Sequence, residues 1–159
     1  MAATAYIALG SNIGDRAQTL MSAIKMIDEI SGVRVMRISQ FIETEPVGGP
    51  GDQPAFLNAA ARIETTLGPQ ELLSALQDIE CRLGRQRQIE ERWAPRTCDL
   101  DILLMGEVVM QSDELTIPHP RLHERTFVLR PLAEIAAGEV HPILKKTVAA
   151  LLADLETRF

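Results

Sequence analysis

The sequence predicts an α+β fold: a ferredoxin-like βαββαβ core with an added β-hairpin and C-terminal helices, stacked in α/β/α layers. Three observations point there. Short apolar runs of strand character and two segments of helical periodicity follow one another as strand, helix, strand, strand, helix, strand, which is the split βαβ plan. Glycine and proline mark the junctions between them. The chain of 159 residues, 46% hydrophobic and 24% charged, can bury one core without disulfides or structural metal, and residues 1–159 are expected to form a single domain.

Ala5 to Leu9 is a short apolar run that reads as a buried strand, ended by Gly10-Ser11-Asn12-Ile13-Gly14-Asp15. That turn has neither a Gly-Lys-Ser/Thr ending nor dinucleotide-binding spacing, so a tight strand-to-helix connection fits it better than a phosphate cradle. Ala17, Leu20, Met21, Ile24 and Ile27 recur at helical spacing, and Gly32 stops the pattern. Val33 to Thr44 suits a long strand that bends near Ser39. Glu45 to Pro54 is a glycine- and proline-rich loop, long enough to act as a lid. Phe56 to Ile63 returns as strand, with Phe56 and Asn58 on one face.

Pro69 opens the second helix, whose inward stripe is Leu72, Leu73, Leu76, Ile79 and Leu83 before Gly84. Glu80 sits at the edge of that stripe, either half-solvated or aimed at a ligand held against the sheet. After the loop Arg85 to Arg96, Cys98, Leu100, Ile102 and Leu104 alternate with Thr97, Asp99, Asp101 and Leu103 at the period of a strand. Val108-Val109-Met110 is expected to pair back and extend the sheet, and Leu115 to Ile117 to add a short pairing. Phe127 to Ala136 reads as helix despite Pro131. Val148, Leu151, Leu152 and Leu155 form a last helix with Thr147 as its N-cap.

The formal charge of −6 argues against a general nucleic-acid binder. No stretch approaches a membrane span, and no basic segment leads an apolar run at the N-terminus, so a cytoplasmic protein without membrane contact is expected. Cys81 and Cys98 read as core thiols rather than a disulfide framework.

Asp99 and Asp101 are two apart on one strand face, with Cα atoms about 6.5 Å apart, so their carboxylates can converge on a hard cation. A bare D-x-D also fits a solvated edge. The neighbourhood favours the metal, because Arg82, Arg85, Arg87, Arg92 and Arg96 crowd the same region, and the guanidinium fork suits phosphate oxygens. Together they describe a site for Mg²⁺ and a nucleotide polyphosphate. His119 and His123 are four apart, but the flanking Pro118 and Pro120 remove the shared helical face a zinc pair needs. A histidine and Arg125 facing phosphates fits the rest.

Four motifs in order carry a resemblance: Tyr6-Ile7-Ala8-Leu9-Gly10-Ser11-Asn12; Asp52-Gln53-Pro54 leading to Phe56-Leu57-Asn58-Ala59-Ala60; Arg92-Trp93-Ala94-Pro95-Arg96-Thr97 through Asp99-Leu100-Asp101-Ile102; and Pro118-His119-Pro120-Arg121-Leu122-His123-Glu124-Arg125. Over nearly its whole length the chain resembles the 6-hydroxymethyl-7,8-dihydropterin pyrophosphokinases of folate biosynthesis. The resemblance implies transfer of pyrophosphate from ATP to the pterin hydroxymethyl group, releasing AMP, by a monomer acting on small molecules. It implies two Mg²⁺ ions on Asp99 and Asp101, and phosphate contacts from Arg85, Arg96, His119 and Arg125. Gln77, Glu80, Ile102 and Thr116 would frame the nucleoside. Thr44, Val47 and Asn58 would meet the pterin's polar edge while Phe56 and Phe127 stack on its faces, and Arg87 and Trp93 match a mobile catalytic loop. Phe56 stands where tyrosine is common in the family, and Glu114 where some members have arginine. Two other readings stay open on the residues alone: a ferredoxin-like ligand sensor, which needs no paired aspartates, and a metal-dependent phosphohydrolase, which needs no aromatic pair.

Overall fold

The computed structural model describes residues 2–12, 14–44, 55–84 and 98–157. Its centre is β1 (Ala3–Ser11), which pairs antiparallel with both β4 (Phe56–Thr65) and β5 (Asp99–Met105). The other side of β4 takes β2 (Val33–Ile38) and β3 (Ile42–Thr44), giving the order β2-β4-β1-β5 with β3 beside β4. The bend expected near Ser39 is the break between β2 and β3. There the Ser39 hydroxyl accepts the Ala60 N–H at 2.8 Å while the Ser39 N–H donates to the Ala60 carbonyl at 2.9 Å, so the side chain stands in for a missing ladder group.

One face of the sheet carries α1 (Arg16–Asp28) and α2 (Pro69–Arg82). Ala5, Ile7 and Leu9 of β1 meet Leu20, Ala23 and Ile27 of α1 and Leu72, Leu76 and Ile79 of α2 in one buried cluster. Burial of each large side chain contributes roughly 1.5–3 kcal/mol. Asp15 caps α1 by accepting the Gln18 N–H at 3.1 Å, and Glu71 in the first turn of α2 accepts the Gly68 N–H at 3.0 Å. Gly32, with φ of 86°, lets the chain leave α1 closely enough that a Cβ would lie 2.6 Å from the Thr66 hydroxyl.

The opposite face is covered at one end by α3 (Thr126–Ala136) and α4 (Val148–Glu156), which pack Leu129, Leu132, Val148 and Leu151 on Tyr6, Ala60, Leu103 and Leu104. Pro131 is buried inside α3, and Thr147 caps α4 by accepting the Ala150 N–H at 3.1 Å, as expected. Among the described residues no helix covers the rest of this face, and there the site lies.

Two expectations are corrected. The alternation along β5 does not run through Leu104: the register passes from Ile7↔Ile102 to Tyr6↔Leu104, a bulge that turns both Leu103 and Leu104 to the α3/α4 side and Met105 to the other. The segment after β5 does not extend the main sheet. β6 (Met110–Gln111) pairs with β7 (Thr116–Ile117) in a separate two-stranded sheet, because Ser112 and Leu115 exchange hydrogen bonds that close a local hairpin, and Val109 is left exposed. Of the two thiols, Cys98 is buried as expected and Cys81 is only partly so.

Candidate active site

Strand register assembles the site row by row. Asn58 on β4 and Asp99 on β5 both lie opposite Gly10 of β1; one row on, Ala60 and Asp101 lie opposite Ala8. Small residues in β1 thus form a flat floor between an amide and two carboxylates. A Cβ on Gly10 would come within 3.2 Å of the Asn58 side-chain oxygen, so any larger residue there would push the amide out of its place. Thr44 of β3 is the register partner of Phe56, and its hydroxyl accepts from the Asn58 amide at 2.6 Å. That bond orients the amide, with its oxygen toward Gly10.

Above this floor is a cavity of about 580 Å³. Its walls are Thr44, Phe56 and Asn58 on one side, Asp99 and Asp101 on another, and the approach to α3 with Arg121, Arg125 and Phe127 on the third. Phe56 and Phe127 supply two apolar surfaces for a flat ring. The Arg125 guanidinium carbon lies 5.7 Å from the Phe127 ring centroid, which holds the cation over the aromatic wall.

His119 is tied to β5 by its backbone N–H, which donates to the Leu103 carbonyl at 3.0 Å. Its Nδ1 accepts the Arg121 N–H at 3.1 Å, assigning the ring proton to Nε2. Burial lowers its pKa, with Arg125 and Arg121 acting the same way against Asp101. The ring is thus a neutral donor beside the carboxylates. Next to them, burial pushes the Cys98 thiol up to about 12, assisted by Asp99 and Glu80, so it stays protonated and chemically quiet.

The residues expected to frame a nucleoside, Gln77, Glu80, Ile102 and Thr116, do not line the cavity. Glu80 is 6% exposed rather than half-solvated, and its carboxylate accepts the Leu100 N–H at 2.8 Å. Ile102 is buried in the α1/α2 core, Gln77 is exposed on α2, and Thr116 sits on β7, which packs against β5. Val47, Arg85, Arg87, Trp93 and Arg96, with the expected lid and catalytic loop, lie outside the described residues. Arg121 and Glu124 join the cavity wall without having been assigned a role from sequence; the signal was present in the Pro118 to Arg125 motif, where spacing alone does not say which charges face inward.

A family model for 7,8-dihydro-6-hydroxymethylpterin-pyrophosphokinase (HPPK) matches residues 6–137. The chain belongs to the HPPK family. It is 52% identical over 131 residues to the 2-amino-4-hydroxy-6-hydroxymethyldihydropteridine pyrophosphokinase of Bacillus subtilis, an alignment covering 82% of this chain and 77% of that one. With the enzyme of the same name from Haemophilus influenzae it shares 48% over 139 residues, 87% of this chain and 85% of the other. The fold superposes on Plasmodium falciparum HPPK-DHPS at a TM-score of 0.79 and 13% identity, over 99% of this chain and 45% of that longer one. As an HPPK the chain is a pyrophosphokinase, of α+β fold as expected.

Proposed function

We propose that this HPPK transfers the terminal diphosphate of ATP to the hydroxymethyl group of 6-hydroxymethyl-7,8-dihydropterin, giving AMP and the pterin diphosphate. The pterin oxygen forms a bond to the β-phosphorus, the bond from that phosphorus to the α-bridging oxygen breaks, and the hydroxyl proton is released. The observation that carries the reading is one cavity that holds both an aromatic–amide wall and a pair of carboxylates. Phe56 and Phe127 would stack on the pterin, with Asn58, oriented by Thr44, on its polar edge, and Val47 and Trp93 beside it. His119 and Arg125 would take the phosphates, with Arg85, Arg87 and Arg96 joining them, while Gln77, Glu80, Ile102 and Thr116 frame the nucleoside. Since the Ile102 side chain is in the core, its share would come from the backbone.

Asp99 and Asp101 fit a pair of Mg²⁺ ions. Among the described residues no group of three or more metal-ligating side chains converges, and Mg²⁺ bound with a nucleotide takes one or two carboxylates and completes its shell from phosphates and water. When bound, Mg²⁺ neutralises charge on the phosphate oxygens. The residues themselves position the hydroxyl and the triphosphate in line and exclude water. Among the described residues no helix is long and apolar enough to cross a membrane. We take the enzyme to be a cytoplasmic monomer of one domain, with no nucleic-acid or membrane partner.

Nucleotide analysis after incubation with ATP, Mg²⁺ and the pterin tests this. AMP should appear in stoichiometry with pterin diphosphate. ADP as product, or ATP hydrolysis indifferent to the pterin, overturns it.

A further inference from the structure

Arg16 is the first residue of α1, directly after the capping Asp15, at the end where the helix dipole disfavours a cation. Its side chain leaves the helix. One terminal nitrogen donates to the Ala55 carbonyl at 2.6 Å, and the other meets the Glu43 carboxylate at 3.3 Å. One acceptor lies within a strand and the other at the entrance to its partner strand. Glu43 is the middle residue of β3, and Ala55 directly precedes β4.

From this geometry we propose that Arg16 is a positioning residue for the pterin, acting from outside the cavity. The inference rests on the proposed function, because the groups it positions are the ones that reading assigns to the pterin. β3 has three residues, and among the described strands it pairs with β4 alone. Where the strand pair begins, Thr44 and its register partner Phe56 both line the cavity. Each is the direct chain neighbour of a group that Arg16 holds. The guanidinium therefore bolts β3 to β4 where the aromatic wall and the amide support arise, and its planar fork suits two acceptors at once. Release of the bolt would free Thr44, and with it the 2.6 Å bond that orients the Asn58 amide. Among the described residues Arg16 makes its hydrogen bonds to Ala55 and Glu43 and not to β5, so the carboxylate side of the cavity should not respond.

The test compares Arg16→Ala, Arg16→Lys and Glu43→Gln in the intact chain, by steady-state kinetics and by calorimetry of pterin binding with a non-hydrolysable ATP analogue and Mg²⁺. Arg16→Ala should weaken pterin binding and raise its KM by about tenfold, the scale of one charge-assisted hydrogen bond, with the KM for ATP within about twofold of wild type. Arg16→Lys, which reaches one acceptor at a time, should recover part of the loss. Glu43→Gln, which keeps an acceptor at an exposed site, should change pterin binding by about twofold or less. Unchanged pterin affinity in Arg16→Ala overturns the proposal, and so does equal weakening of ATP and pterin, the mark of a general loss of structure. A wild-type protein that makes no pterin diphosphate would instead overturn the function on which the proposal rests.

Discussion

Removing the Glu80 carboxylate should loosen the strand that carries both aspartates. β5 lies at the end of the order β2-β4-β1-β5, and alternate N–H groups of an antiparallel edge strand point away from its partner. Leu100, between Asp99 and Asp101, has such an N–H, and Glu80 of α2 accepts it at 2.8 Å with both residues buried. A buried N–H left without an acceptor costs about 1–3 kcal/mol, and 1 kcal/mol moves the Tm of a chain this long by about 2–4 °C. Taking about 2 kcal/mol, Glu80→Ala should lower Tm by about 4–8 °C. Freedom at Leu100 is freedom of both carboxylates, and loss of alignment on the order of 1 Å lowers turnover by about a hundredfold. Glu80→Gln keeps an oxygen at the same reach and should recover more than half of each effect. Calorimetric melting and Mg²⁺-dependent turnover of the two variants read the outcome. A Glu80→Ala protein with wild-type Tm and kcat would refute the reasoning, and a Glu80→Gln protein as damaged as Glu80→Ala would move the cause from the acceptor to the charge.

Asp99→Asn and Asp101→Asn should each reduce Mg²⁺-dependent turnover by at least a hundredfold with the fold intact by circular dichroism; near-normal turnover in both ends the metal assignment. Gly10→Ala places a Cβ 3.2 Å from the Asn58 oxygen, so pterin binding should weaken by about tenfold with Tm little changed, as calorimetry in the presence of the ATP analogue would register. Stability should fall as pH drops below His141's ordinary value of 6.5. Burial, with His123 nearby, lowers the folded-state pKa, so in that window the unfolded chain binds more protons and stability, full above it, is lost on acidification. The His141 Nδ1 accepts the Ile143 and Leu144 N–H groups, which protonation would break, so urea midpoints of wild type should fall between pH 7.5 and 5.5 by more than those of His141→Gln; equal slopes would exclude His141 as the cause.

Local pattern determined much of this protein. The period of Leu20, Ile24 and Ile27, the proline at the start of α2, the threonine before α4 and the apolar stripe of Leu72, Leu76 and Ile79 each state a helix and its buried face, because they act through neighbours within a turn or two of chain. The same-face placement of Phe56 with Asn58 and of Asp99 with Asp101 follows from strand period alone. Four motifs in order were enough to name the family. What tertiary structure alone decided has a common cause: each case depends on which distant residue lies opposite. Register set Gly10 between Asn58 and Asp99, the first separated from it in the chain by a helix and two strands and the second by two helices and three strands. The bulge that sends Leu104 to the α3/α4 side is a mismatch between β1 and β5, invisible in either strand read singly. The β6–β7 hairpin closed on itself because a four-residue turn forms at less entropic cost than a return to β5. Glu80, on the edge of a helical stripe, read as either half-solvated or aimed at a ligand; only the open N–H of a strand packed against that helix makes it a buried acceptor.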